Sequence, residues 1–339
     1  MQALANCPHL LPARAPRRII RLMSEFPEAN ILDAGGVRLA SYEAGDGFPV
    51  VLVHGWPELA YSWKNVIPAL AGAGWRAIAP DVKGFGRSDA PADKTLYDCR
   101  HLTDDFAALL DALEIEKAVF CGHDWGGALV WSMAQLRPDR VAGVIGVSTP
   151  LRPRAPAAPL DIIAKRLTPQ HYFIKFQEEG APETLFESDI ERFFRFVFTR
   201  PAPRSRWPEL IPGVYDLMSR FQEGSAPPDD KLVLSREDLQ VYIDAYSKTG
   251  LRGGINLYRN INRNWELMEG RDETVRAPSL WIGADLDLFI PPESAEGMET
   301  IVPDLEKHIL SECGHWVMWE KPAELNALIL DWLARRIQS

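Results

Sequence analysis

The chain has 339 residues, 46% hydrophobic and 25% charged, with a formal net charge of -10. That is globular composition with ample length for a large core, and no run reaches the length of a transmembrane helix. The acidic balance argues against nucleic acid and against an anionic membrane surface as partners.

Residues 1–23 carry Arg14, Arg17, Arg18 and Arg21 and no acid. A transit-type segment has that composition, but an apolar signal core and a small-residue cleavage site are missing, so an arm lying on the surface is expected. Val37–Tyr42 alternates apolar and polar residues and reads as an early strand. Pro49–Val53 is a continuous, largely β-branched run, the pattern of a strand buried on both faces, and it leads into His54-Gly55-Trp56-Pro57-Glu58. Tyr61–Gly72 reads as a helix with Trp63, Ile67 and Leu70 on one face, and Trp75–Asp81 as the next strand. A glycine-punctuated loop over Lys83–Asp89 precedes an amphipathic helix, Thr103–Leu113. Ala118–Cys121 and Val141–Val147 are apolar strands with a helix over Ala128–Ala134 between them. Strands alternating with helices of this length imply a mostly parallel sheet with helices on both faces.

The pattern breaks at Thr149-Pro150. Residues 151–160 include Pro153, Pro156 and Pro159, and the chain to about Asn260 is aromatic-rich and helical. Helices are expected over Pro169–Glu178, Ser188–Phe198 and Ser235–Lys248. An inserted helical cap over 151–261 on a core formed by 1–150 and 262–339 follows from this. Its aromatic residues, among them Phe173, Phe176, Phe193, Phe194, Phe196 and Phe198, divide between packing and lining a pocket under the cap. Strands resume at Pro278–Gly283 and Glu306–Leu310, and a helix over Pro322–Arg335 closes the chain. Cys7, Cys99, Cys121 and Cys313 form no Cys-x-x-Cys pair. Cys121 and Cys313 fall at apolar strand ends, so buried free thiols in a reducing compartment, the cytoplasm, are expected.

The segment Gly122-His123-Asp124-Trp125-Gly126 lies between a strand and a helix. Gly-x-nucleophile-x-Gly in that setting is the nucleophile elbow of the α/β-hydrolase fold. The middle position usually holds Ser; here it is Asp124. A Ser that attacked a saturated carbon would form an ether with no carbonyl for water to attack. A carboxylate forms an alkyl ester, which water can cleave at the enzyme's own carbonyl, so Asp124 points to an electrophilic sp3 carbon such as an epoxide or alkyl halide. The competing reading of Asp124 is a plain helix N-cap.

Water needs a base. Of His9, His54, His101, His123, His171, His308 and His315, the best placed is His315, in Cys313-Gly314-His315-Trp316 after the last strand. His308 is mid-strand and expected to pack; His123 is expected to hydrogen-bond locally at the elbow. Gly283-Ala284-Asp285-Leu286-Asp287 offers an acid for His315, with Asp287 favoured and Asp285 as its turn-forming neighbour. The backbone N–H groups of Trp56 and Trp125 are the expected oxyanion hole, since Pro57 has none.

His54-Gly55-Trp56-Pro57-Glu58, Gly122-His123-Asp124-Trp125-Gly126-Gly127 and Gly314-His315-Trp316 together resemble the α/β-hydrolase-fold epoxide hydrolases, over nearly everything after about residue 26. Two cap segments, His171–Gln177 and Leu257-Tyr258-Arg259-Asn260, resemble those that carry the family's ring-opening tyrosines. The resemblance implies that Tyr172 and Tyr258 hold the epoxide oxygen and protonate it, that the substrate is a small apolar epoxide contacted by Tyr172, Tyr258 and Trp125, and that neither metal nor organic cofactor is needed. It leaves a homodimer open. The phosphatase-like domain that precedes this fold in some relatives is not expected, since only a short arm precedes residue 26. A haloalkane or haloacid dehalogenase, using the same Asp, is the nearest alternative; its halide-holding Asn or Arg positions are Trp56 and Trp125 here. A non-catalytic small-molecule-binding protein on the same fold is the alternative of another class.

Overall fold

The computed structural model describes residues 26–337, so the arginine-rich arm, His9 and Cys7 lie outside the described residues. An eight-stranded sheet runs in the order β1-β2-β4-β3-β5-β6-β7-β8. The strands are β1 Ala29–Asp33, β2 Arg38–Ala44, β3 Pro49–Val53, β4 Arg76–Pro80, β5 Ala118–His123, β6 Val141–Val147, β7 Ser279–Ala284 and β8 Leu305–Leu310. The β1–β2 and β2–β4 pairs are antiparallel; the other five are parallel. The expected mostly parallel sheet is therefore present, with an antiparallel hairpin added at one edge.

The central strands alternate between two cores. In β3, Val51 and Val53 enter one apolar cluster while Val50 and Leu52 enter the other; in β5, Phe120 and Cys121 divide in the same way. Helices α1 Ile67–Gly72, α2 Cys99–Ala112 and α3 Trp125–Leu136 connect the strands of this half, and α14 Pro322–Arg336 closes the chain. Covering both faces is what a parallel sheet requires, and it explains why β3, β5 and β6 read as unbroken apolar runs.

Between β6 and β7 the chain runs through nine helices: α4 Pro159–Arg166, α5 Tyr172–Lys175, α6 Ala181–Glu187, α7 Ile190–Val197, α8 Trp207–Val214, α9 Leu217–Glu223, α10 Arg236–Thr249, α11 Arg252–Arg259 and α12 Ile261–Leu267. Phe176, Phe193, Phe194 and Phe198 are fully buried, whereas Phe173 and Phe196 are half-buried. Helix α13, Val317–Glu320, follows the loop after β8.

Several local expectations change. The helix expected over Tyr61–Gly72 is a 3-10 turn at Ala60–Trp63 followed by α1, which starts anew with Pro68 in its first turn. The helix expected over Pro169–Glu178 shrinks to α5, one turn that His171 caps by accepting the Phe173 N–H at 3.1 Å. His308 does not pack: β8 is the last strand of the sheet, and Lys307, His308 and Ile309 are exposed along it. Cys99, Cys121 and Cys313 are buried free thiols.

The turn from β5 into α3 is closed by glycines. A Cβ on Gly126 would lie 2.0 Å from the Val53 carbonyl oxygen, and one on Gly122 would lie 2.2 Å from the Gly126 carbonyl oxygen. Backbone cannot give way as a side-chain tip can. Gly126→Ala is expected to destabilise the protein by at least about 1–3 kcal/mol, the range for overpacking, measured by urea denaturation; an unchanged midpoint would show that the elbow has slack.

Candidate active site

Asp124 stands at the turn with φ 52° and ψ -119°, a region that a non-glycine residue occupies only under constraint. The constraint is visible in its bonds. The Thr149 hydroxyl donates to the Asp124 carbonyl at 2.7 Å, and the Trp56 N–H donates to Oδ1 at 2.9 Å. The Trp125 N–H lies near the carboxylate and favours its ionised form. No side-chain cap bond from Asp124 to α3 is formed, so the plain N-cap reading fails.

The Trp56 N–H reaches Asp124 because the loop after β3 lies against the elbow. A Cβ on Gly55 would fall 2.5 Å from the Asp124 Cβ. This loop is fixed from below. His54 Nε2 accepts the Val82 N–H at 3.0 Å while Nδ1 faces the Gly55 carbonyl at 2.9 Å, so the ring is neutral with its proton on Nδ1, and burial holds its pKa low.

His315 Nδ1 lies 2.9 Å from Asp287 Oδ2, and its Nε2 lies 3.7 Å from Asp124 Oδ2. Asp287 is fully buried and accepts the Phe289 and Ile290 N–H groups on its other oxygen, at 3.0 and 2.9 Å. Asp285 instead accepts the Cys313 N–H at 3.1 Å and shapes the turn. Burial alone would lower the His315 pKa; the charges and hydrogen bond of Asp287, with Asp124, outweigh it and raise it to about 9. Burial pushes the Asp124 carboxyl upward, with His315, His123 and the two N–H donors opposing.

Tyr172 and Tyr258 face this carboxylate from the insertion. Their rings lie edge to face, 5.5 Å between centroids, and Tyr258 also packs edge to face on Trp125 and Trp56 at 5.0 and 5.3 Å. Burial, then the nearby Asp124 charge, keep the Tyr172 hydroxyl protonated far above the usual phenol range; burial and the same charge act on Tyr258, which also meets Tyr172. Tyr172 is held by its neighbours: His171 stacks between the rings of Tyr172 and Tyr215, 5.1 and 4.7 Å away. The sequence-predicted Asp124, His315, Asp287, Tyr172, Tyr258, Trp56 and Trp125 thus meet in one place.

Three residues have a larger part than the sequence suggests. His123 does not bond locally: Nδ1 lies 2.8 Å from Glu58 Oε2 and Nε2 lies 2.8 Å from the His315 carbonyl. Glu58 Oε2 also accepts the Gly55 N–H at 2.7 Å. With acceptors on both sides the ring donates twice, an imidazolium against a carboxylate, with both side chains fully buried. Burial would raise the Glu58 carboxyl, but the His123 charge and hydrogen bond and the Gly55 N–H bring it below the usual range. Glu320 is the third: its two oxygens accept the N–H groups on either side of His315, from Gly314 at 2.9 Å and from Trp316 at 3.0 Å. The only sequence signal for these residues was an acid in the loop after β3, a His at the elbow and an acid in the helix after His315.

The family described as alpha/beta hydrolase fold matches residues 49–322. A bifunctional epoxide hydrolase 2 of Sus scrofa is 38% identical over 314 residues, 91% of this chain and 56% of that protein. Epoxide hydrolase A of Mycobacterium tuberculosis is 37% identical over 316 residues, 91% of this chain and 97% of that protein. The crystal structure of epoxide hydrolase A from Mycobacterium thermoresistibile superposes with a TM-score of 0.83 at 38% identity, covering 92% of this chain and 100% of that one. The chain belongs to the epoxide hydrolase family of the α/β-hydrolase fold. It spans just over half the length of the pig, rat and mouse bifunctional proteins. No helix among the described residues is long and apolar enough to cross a membrane.

In this family member the Glu58–His123 pair ties the loops after β3, β5 and β8 into one unit. Glu58→Gln leaves a buried imidazolium without its counter-charge and is expected to cost about 3–5 kcal/mol. Urea denaturation of Glu58→Gln, His123→Gln and the double variant checks this. A double-variant loss equal to the sum of the single losses would mean that the two side chains do not interact.

Proposed function

We propose that this chain adds water to a small apolar epoxide, giving a vicinal diol through a covalent alkyl ester on Asp124. The observation that carries the reading is the convergence of one carboxylate, one carboxylate-paired imidazole and two buried phenols. The names of the relatives from Mycobacterium tuberculosis and Mycobacterium thermoresistibile support it. Among the described residues the core is the part of 1–150 and 262–339 that follows residue 25 and ends at 337, and the cap is 151–261; the cap brings the phenols. Against the dehalogenase alternative stand Trp56, where such enzymes hold the halide with an Asn, and the two phenols, which a halide leaving group does not need.

The two Asp124 oxygens differ. Oδ1 is held by the Trp56 N–H, whereas Oδ2 faces His315. Oδ2 attacks a ring carbon, the C–O bond of the ring breaks, and the departing oxygen takes a proton from Tyr172 or Tyr258. A phenol is needed because an unprotonated alkoxide leaves poorly. Water then attacks the ester carbon and gives its proton to His315 Nε2, while the negative charge forms on Oδ1 between the Trp56 and Trp125 N–H groups. Collapse releases the diol, whose alkoxide takes the proton back from His315; Asp124 is left as the acid holding water's other proton, which returns to the tyrosinate and restores both groups. Asp287 fixes the His315 tautomer and balances its cation.

A single turnover in heavy-oxygen water tests the first step. The first diol should carry no label and Asp124 should keep it; label mainly in the first diol would mean direct attack by water. His315→Gln should accumulate an adduct of one substrate mass on Asp124, seen by intact-protein mass spectrometry. Tyr172→Phe with Tyr258→Phe should lose that adduct with epoxides, since removing one charge-stabilising donor costs about 2.7–4 kcal/mol. Alkylation of the double variant at the parent rate would make the tyrosines packing residues.

The second step has a pH signature. Free His315 is an imidazolium below about 9 and must be neutral to act as a base. Alkylation removes the Asp124 charge, one of the causes raising that pKa, so the ester form deprotonates at lower pH. Ester hydrolysis followed in single turnovers should rise with pH through a midpoint below the one found for His315 of the free protein by NMR. An equal or higher midpoint would remove the coupling.

A further inference from the structure

Helix α5 carries Tyr172 but has only four residues, Tyr172–Lys175, and a single turn does not hold itself in place. Its carbonyl end lies against α11, the helix that carries Tyr258. The bridge is Arg259, next in sequence to Tyr258, whose side chain is 2% exposed. Its Nε donates to the Phe176 carbonyl at 3.0 Å and its Nη2 to the Glu178 carbonyl at 3.0 Å, so the guanidinium caps the turn that follows Tyr172. Nη1 and Nη2 also donate to the two oxygens of Glu183, at 2.6 and 3.1 Å, and Nη1 donates to Asn256 Oδ1 at 3.0 Å. These five bonds use every N–H that a guanidinium has. A second tie runs beside it: Gln177 Nε2 donates to the Phe173 carbonyl at 2.8 Å and to the Tyr258 carbonyl at 2.9 Å.

We propose that Arg259, with Gln177, is a positioning residue that sets Tyr172 and Tyr258 in register on one epoxide oxygen. The proposal rests on the epoxide reading above and deepens it. Arg259 makes no bond to Asp124; it acts through the carbonyls of Phe176 and Glu178 on one side and through the backbone of Tyr258 on the other. A single phenol needs only to reach the oxygen. Two phenols sharing one oxygen need their separation fixed, and that separation is set by α5 against α11. Lysine at 259 keeps the charge but cannot make a fork of five bonds in fixed directions.

The test follows alkylation in the His315→Gln background, where the adduct accumulates. Arg259→Lys and Gln177→Met are added separately; Gln177→Met keeps the volume and removes the donor without touching the Arg259–Glu183 pair. Positioning predicts a full yield of adduct at a lower rate: the limiting alkylation rate should fall about tenfold or more with Arg259→Lys, as expected for a small misplacement of the acid. The half-saturating epoxide concentration should stay within about twofold. Gln177→Met should lower the rate in the same way by a smaller factor. A reduced yield at an unchanged rate would mean that Arg259 only keeps the cap folded, and would overturn the proposal, as would parent rates in both variants. Should Arg259→Lys fail to fold, Gln177→Met at the parent rate overturns it alone. A His315→Gln parent that forms no adduct with epoxides would overturn the epoxide reading together with this one.

Discussion

The close approach of the ends of β3 and β5 is the constraint from which the site follows. Gly126 lies against the Val53 carbonyl and Gly55 against Asp124, with no room for a side chain at either. That contact brings the Trp56 N–H within 2.9 Å of the Asp124 carboxylate. It also forces the backbone at Asp124 to φ 52°, which the Thr149 hydroxyl and the Trp56 N–H hold in place. A carboxylate in this position cannot turn away to solvate itself. One oxygen is committed to backbone donors and the other is aimed at the insertion and at His315.

The rest of the site answers the electrostatic cost of that arrangement. Buried charge is tolerable when paired and hydrogen-bonded. Here Asp287 pairs with His315, Glu58 with His123, and each carboxylate also accepts backbone N–H groups. Because the His123 ring joins Glu58 to the His315 carbonyl, the loop that supplies the Trp56 donor and the loop that supplies the imidazole are fixed relative to one another. Glu320 then straddles His315 from the following helix.

What the sequence makes legible follows from range. The buried strands β3, β5 and β6 declare themselves because both faces are covered and nearly every residue is apolar. The elbow declares itself because two glycines must flank one nucleophile. Strand β1, Ala29–Asp33, left little pattern, since it is a half-exposed edge strand whose residues need satisfy only one neighbour. Helix α5 is shorter than its apolar spacing suggests because His171 caps it late and Arg259 ends it from another helix. The Glu58–His123 pair joins residues 65 positions apart, and neither residue's neighbours in sequence mark it. Only likeness to relatives singles out Tyr172 and Tyr258; among eight tyrosines, nothing local distinguishes them.

The same charge governs both proposed acid–base partners, and this gives the two steps their order. While Asp124 is ionised it raises the pKa of Tyr172, Tyr258 and His315 together. The phenols are then protonated and ready to donate, and the imidazole is an imidazolium unable to take a proton from water. In the proposed ring opening the negative charge moves from Asp124 onto the departing oxygen. As that charge leaves the carboxylate, both phenols become stronger acids at the moment a proton is required. Once the ester has formed, the same loss makes His315 easier to deprotonate, so the base becomes available only after there is an ester to hydrolyse. Burial sharpens the effect, because a charge lost 3.7 Å from the imidazole in a poorly solvated site is felt far more than it would be in water. The order of the proposed steps then needs no moving part: the charge that leaves Asp124 in the first step prepares the base for the second.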